Sequence, residues 1–264
     1  MITSPHNPKV KQAIKLRERR QRESDGLMLV EGHDELALAV ESGLAPRSLF
    51  YCPELFAIQQ PALLLERLRR ASVELIEVDR RVFEKLAYRE NPDGWLAVAP
   101  LVKHELAALA PGPAPFFIVA EALEKPGNLG AILRSADAAG VDGLILCDPI
   151  IDLGNPNVVR PSRGTLFSVP LARATSEEAL LWLRQQHVAV VAATPEATML
   201  YTEADLRGPV AIAVGAESSG LSPLWRAAAN VSVRIPMMGR VNSLNVATSA
   251  SLLLYEVVRQ RAKR

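Results

Sequence analysis

The feature that most narrows the fold is a set of five short, nearly unbroken apolar runs in the second half of the chain. They occupy residues 116–120, 143–147, 188–193, 210–214 and 231–235. Each suits a strand in length, and the stretches between them carry helical periodicity. Strands that are apolar on both sides belong to parallel sheets, where crossover helices cover both faces. Several of those helices announce their starts. Thr175 and Glu178 form a capping box, and Ser222 followed by Pro223 reads as a cap with proline at the first helical position. The last helix is expected from about Ser243 to the basic end at Arg259, Arg261, Lys263 and Arg264.

The first half repeats the rhythm in shorter form. Residues 27–30, 48–52, 73–78 and 94–99 read as strands, with helices over 31–41, from Pro61 and from about Asp79. Residues 103–115 include Pro111, Pro113 and Pro115, which suits an extended linker and no regular element. The organisation expected is therefore an α/β protein with a small domain over 1–102, a linker over 103–115 and a larger parallel-sheet domain over 116–264. Ahead of the first strand, Lys9, Lys11, Lys15, Arg17, Arg19, Arg20 and Arg22 face only Glu18, a net of +6 by count. With Val10 and Ile14 at helical spacing, this is a basic helical arm. It is either a solvated charged face or a set of phosphate contacts.

Composition excludes several classes. Over 264 residues the 30 basic and 29 acidic side chains nearly cancel, so any nucleic-acid site must come from local clustering. Cys52 and Cys147 lie far apart and form no Cys-x-x-Cys pair, and the four histidines are scattered. That argues against a disulfide framework or a zinc site and fits a reducing cytosol. The N-terminus has no apolar signal-peptide core and no run is long enough to span a bilayer, so a cytoplasmic protein is expected. No Gly-x-Gly occurs, which removes the dinucleotide fingerprint. Gly215 and Gly220 have P-loop spacing, but Leu221-Ser222 stands where a phosphate-clamping lysine is required. A Gly-x-Ser-x-Gly elbow is also missing.

Three segments follow or flank the expected strands at their carboxyl ends, where parallel sheets gather ligands. The first is Glu121-Ala122-Leu123-Glu124-Lys125-Pro126-Gly127-Asn128-Leu129-Gly130, running on to Arg134. The second is Gly215-Ala216-Glu217-Ser218-Ser219-Gly220. The third is Ile235-Pro236-Met237-Met238-Gly239-Arg240-Val241-Asn242-Ser243-Leu244-Asn245. Asn128 is placed to cap the helix that carries Arg134, and Ser243 to open the final helix. Capping does not account for Pro236-Met237-Met238-Gly239, an apolar, tightly turning lead-in suited to an adenosine pocket. Singly, each segment reads equally well as an ordinary capped turn.

Together, the three resemble the motifs of the SpoU (TrmH-like) family of SPOUT methyltransferases, which move a methyl group from S-adenosylmethionine to a ribose 2′-hydroxyl of RNA. The segment Arg160-Pro161-Ser162-Arg163-Gly164 resembles the family's middle portion. Leu29-Val30-Glu31-Gly32 resembles the start of the RNA-recognition domain that many members carry. The resemblance implies a deep trefoil knot in the C-terminal part and a homodimer bordering the cofactor site. It also implies Arg134 as the central catalytic residue, held by Asn128 and Glu217, with Ser243 and Asn245 lining the transfer centre. Gly215, Ile235 and Leu244, joined by Thr194 and Met237, are the expected cofactor contacts, and no metal is required. Arg17, Arg19, Arg20, Arg22, Arg160 and Arg163 are the candidate RNA contacts. Ribosomal RNA is favoured over transfer RNA because of the added N-terminal domain. A non-catalytic RNA-binding or assembly factor and a methyltransferase for protein or a small molecule are the other readings.

Overall fold

The computed structural model describes residues 1–57 and 61–262; Lys263 and Arg264, at the expected basic end of the last helix, lie outside them. The chain divides into two compact units, Met1–Lys103 with Asp152–Ser168, and His104–Ile151 with Val169–Arg264.

Unit 1 begins with α1 (Pro8–Lys15) and α2 (Arg19–Asp25), so the basic arm is two helices. Asn7 caps α1 by accepting from the Lys9 amide at 2.9 Å, and Gly26, with φ of +63°, ends α2. The arm is no free extension. Val10, Ala13 and Leu16 are buried in one core with Val82, Phe83 and Leu86. Burying side chains the size of Val10 and Leu16 is worth about 1.5–3 kcal/mol each, enough to hold such short helices against the domain. There follow β1 (Leu27–Glu31), α3 (His33–Glu41), β2 (Ser48–Tyr51), α4 (Pro61–Arg70), β3 (Glu74–Glu77), α5 (Arg80–Leu86) and β4 (Trp95–Pro100). The sheet order is β1-β4-β2-β3. Only β2 and β3 form a parallel crossover pair; β4 inserts between β1 and β2, antiparallel to both, with Leu29 opposite Val98 and Leu49 opposite Ala97.

The chain continues through β5 (Phe116–Glu121), α6 (Pro126–Ala139), β6 (Gly143–Cys147), α7 (Pro156–Ser162), α8 (Thr165–Ser168), β7 (Leu171–Ala174), α9 (Ser176–Gln185) and β8 (Ala189–Ala193). After these come β9 (Met199–Leu200), β10 (Val210–Val214), α10 (Pro223–Ala228), β11 (Val231–Arg234) and α11 (Val246–Arg261). All of β5 to β11 belong to unit 2 and form one parallel sheet, in the order β7-β6-β5-β10-β8-β11-β9. The five apolar runs are β5, β6, β8, β10 and β11. The short β7 and β9 were not expected, because Leu171–Ala174 and Met199–Leu200 are too brief to show a pattern. The capping box of α9 forms as expected, with Glu178 N donating to Thr175 Oγ1 and Thr175 N to Glu178 Oε2. Helices α6 and α11 pack side by side, with Ser135 Oγ and Ser251 Oγ 2.7 Å apart.

Two boundaries differ from the sequence reading. Residues 104–115 contain a 3₁₀ turn (Leu106–Ala108), and the segment packs along β7, where Arg173 N donates to His104 O. The second unit is not continuous from residue 116, because Asp152–Ser168, which carries α7 and α8, groups with unit 1. Val158, Val159 and Leu166 are buried there, and a Cβ on Gly164 would meet Leu38 of α3. Arg22 binds this segment through Asp152.

Candidate active site

At the carboxyl ends of β8, β10 and β11, unit 2 encloses a cavity of about 330 Å³. Its apolar wall is Val214, Val233, Ile235, Met237, Leu244 and Val246, and its polar rim includes Thr194, Glu196, Glu217, Arg226 and Ser243. Gly215, Ile235, Leu244, Thr194 and Met237 all line it. The loop from Gly215 folds back on itself, with Gly220 N donating to Ala216 O at 2.9 Å. A Cβ on Gly215 would lie 2.1 Å from the Gly220 carbonyl carbon, so only glycine permits this closure. Glycine also bares the backbone there. A slot with an apolar wall and an extensive polar rim suits a flat purine with a polar appendage, such as S-adenosylmethionine.

Beside the cavity, Glu217 gathers the three loops into one knot of hydrogen bonds. Its Oε1 accepts from Asn128 Nδ2 at 2.8 Å and from Asn245 Nδ2 at 2.7 Å, and Lys125 Nζ donates to Oε2. Asn245 Oδ1 accepts from Ala247 N, which fixes that amide with its NH₂ towards Glu217 and towards Asn128 Oδ1 at 3.2 Å. The Lys125 ammonium, then the Asn128 amide, hold the Glu217 carboxyl below the usual carboxylate range, and Lys125 is raised in return. A carboxylate so stabilised is a poor proton acceptor and a good clamp.

This geometry corrects several expectations. Asn128 does not cap α6: the helix starts at Pro126 with Lys125 in the cap position, leaving the Asn128 side chain for Glu217. Ser243 does not open the last helix, because Asn245 caps α11 and the exposed Ser243 bonds Asn242 at 3.4 Å. Asn128 and Glu217 hold each other and Asn245, while Arg134 lies exposed two turns along α6 and is outside the cavity lining. Of the arm arginines, Arg22 is 2% exposed and donates to Leu16 O and Arg17 O as well as to Asp152. Arg17 donates to the carbonyls of Lys85, Leu86 and Ala87, closing the end of α5. These two serve the fold. Arg19, paired with Glu23, and Arg20 remain exposed, as do Arg160 and Arg163 on the Asp152–Ser168 segment.

Two site residues escaped the sequence reading. Lys125, in the first loop, pairs with Glu217, a role its sequence position does not reveal. Glu121, 6% exposed at the end of β5, accepts from Ser222 N at 2.7 Å and so anchors the end of the Glu217 loop. Like Lys125 it lies in the first motif segment, and a charged residue closing an otherwise apolar strand is the local signal for its role.

Comparison with known proteins places this architecture. Residues 115–255 match the SpoU rRNA Methylase family, and residues 7–97 match the MRM3-like substrate binding domain. A 23S rRNA (uridine(2479)-2′-O)-methyltransferase of Streptomyces viridochromogenes is 34% identical over 92% of this chain and 86% of its own. A solved structure described as an RNA 2′-O ribose methyltransferase is 42% identical, with a TM-score of 0.86 over 99% of both chains. The SpoU methyltransferase AviRb of Streptomyces viridochromogenes, solved in complex with AdoMet, gives 0.88 at 30% identity, covering 98% of this chain and all of its own. Fold and loops define a SPOUT-type α/β protein with a separate N-terminal substrate-binding domain. The chain belongs to the SpoU rRNA methylase family, as its three loops indicated.

Proposed function

We propose that the protein transfers a methyl group from S-adenosylmethionine to a ribose 2′-hydroxyl of ribosomal RNA. The observation that carries this is the meeting of all three loops at one cavity through Glu217. Ribosomal RNA is favoured because relatives named for 23S rRNA align over both halves. A neighbour described by methylation of tRNA covers only 58% of this chain, with a TM-score of 0.52.

Gly215, Ile235 and Leu244 would hold the adenosyl group, with Thr194 and Met237 beside it. When bound, the cofactor supplies a methyl group on a sulfonium centre that departs as a neutral thioether. The chain's own work is to place the hydroxyl in line and stabilise the oxygen as its negative charge grows. Arg134 presents fixed N–H donors for that oxygen, and its guanidinium is too weak an acid to serve as base when free. A substrate phosphate helps Arg134 act on the hydroxyl in this reading, and the proton passes to water as the oxygen–carbon bond forms. Lys125, Asn128, Glu217 and Asn245 keep the loops in register, and Ser243 lines the transfer centre.

Unit 1 serves as the RNA-recognition part, with Arg19, Arg20, Arg160 and Arg163 as phosphate contacts. The working form is a cytoplasmic homodimer. Leu252 and Tyr255, three residues apart on α11, and Met238 and Val241 in the preceding loop are exposed apolar side chains available to a second copy. The expected trefoil knot lies in unit 2. Mapping 2′-O-methylation of ribosomal and transfer RNA, incubated with the protein and S-adenosylmethionine, tests the function. One new site in ribosomal RNA is the expected result; methylation confined to tRNA, or absent, overturns it.

A further inference from the structure

Unit 1 carries an exposed aromatic ring beside an exposed arginine. Tyr88, just beyond α5, is 43% exposed. It is nevertheless tethered: its backbone N–H donates to Glu31 Oε2 at 2.9 Å, and its hydroxyl accepts from Asn157 Nδ2 at 2.9 Å. A ring held at both ends keeps its orientation, so little freedom is lost when a partner settles on it. The ring borders a shallow cleft shared with Leu29, Pro156, Val159 and Arg160.

The cations of this cleft divide sharply. Arg89 is turned inward, donating to Glu31 O and pairing with Glu35. Arg160 lies one turn along α7 from Asn157 and is exposed, with no acidic partner among the described residues. An apolar ring beside an unpaired guanidinium matches a nucleotide, whose base offers a flat face and whose phosphate offers a bidentate anion. Glu31 lies within the cleft lining, but it is buried and already accepts from the Tyr88 and Arg89 amides, so it does not repel an anion at the surface.

We propose that Tyr88 and Arg160 form a subsite for one unpaired RNA nucleotide, the phenol ring stacking on the base and the guanidinium holding an adjoining phosphate. This rests on the functional reading above and adds where single-stranded RNA is gripped. Stacking tolerates any base, so the subsite holds the strand and leaves the choice of target nucleotide to other contacts.

The two halves of the subsite differ in their response to salt, which supplies the test. Binding of a fluorescein-labelled, mixed-sequence single-stranded RNA to the full-length protein is followed across a salt series. Tyr88→Ala is expected to weaken binding about tenfold with the salt slope unchanged, since no phosphate contact is lost. Tyr88→Phe, which keeps the ring but releases its tether to Asn157, should bind between the parent and Tyr88→Ala. Arg160→Gln should weaken binding and flatten the slope by about one. Arg70→Gln, at an arginine already paired with Glu66, is the control and should change nothing. A parental urea midpoint certifies the fold of each variant, and S-adenosylmethionine affinity, a property of unit 2, should not move. Equal RNA binding by parent and Tyr88→Ala, or a slope change in Tyr88→Ala, overturns the subsite alone. Failure of the parent to bind any RNA overturns the functional reading with it.

Discussion

Glu217 Oε1 accepts a hydrogen bond from Asn245 Nδ2 at 2.7 Å, across 28 residues of sequence. The same oxygen takes the Asn128 amide, so one carboxylate sets the spacing of the three loops. Glu217→Gln presents an NH₂ group to donors that need an acceptor. Turnover is expected to fall on the order of a hundredfold, the scale of misplacing reacting groups by about 1 Å. Affinity for S-adenosylmethionine should fall less, because the apolar wall is untouched. A Glu217→Gln enzyme with parental kcat would remove the clamp from the mechanism. Because the folded carboxyl is held low, this clamp is complete above the ordinary carboxylate range and is lost only as pH falls through its depressed value. The kcat profile is therefore expected to show no Glu217 limb between about pH 5 and 9.

Gly215→Ala forces a Cβ to within 2.1 Å of backbone at Gly220, where no side chain can swing aside. The loop must open, and S-adenosylmethionine binding measured by calorimetry should drop by at least about tenfold, since a single close-approach glycine fixes the cavity edge. Parental affinity in Gly215→Ala would show that the loop does not meet the cofactor.

Arg134→Ala separates the two functions of unit 2. The side chain is exposed on α6 and absent from the cavity lining, so cofactor affinity should persist while methyl transfer to RNA is lost. An Arg134→Ala variant of full activity, or one inactive only through failure to bind cofactor, contradicts the proposed role.

Arg22 is buried against Asp152, and removing one partner leaves the other uncompensated. Arg22→Met is expected to cost about 3–5 kcal/mol of stability, the range for a broken buried pair, read from the urea midpoint of the full chain. Arg20→Gln, at an exposed site, should leave the midpoint alone and weaken RNA binding slightly. A stable Arg22→Met protein that loses RNA affinity would return Arg22 to the RNA contacts.

His104 is held neutral. Burial lowers its pKa from 6.5 to about 4, outweighing its bond to Leu171 O. The unfolded chain therefore binds this proton first, and stability is lost as pH falls from about 6.5 to 4. The difference is worth up to about 3 kcal/mol. Replacing His104 with Gln should flatten the acid limb of the urea midpoint; an unchanged limb places the acid sensitivity elsewhere.

What the sequence determined by itself was whatever depends on near neighbours. The five apolar runs became strands because burial on both faces needs no knowledge of partners, and the Thr175–Glu178 box closed because its atoms are three residues apart. The three loops were legible for the same reason, since each follows or flanks a strand. Gly215 could be named as a glycine that bares the backbone. Only the tertiary structure decided which groups meet. Asn128 looked like a helix cap until Glu217, 89 residues away, supplied a better partner. Arg22 looked like an RNA contact until Asp152, 130 residues away, drew it inward. The placement of β4 between β1 and β2, and of Asp152–Ser168 with unit 1, likewise follows from burial between segments distant in the chain. Local patterns record what a residue prefers, whereas charge partners and sheet neighbours are fixed by the free energy of the whole packed core.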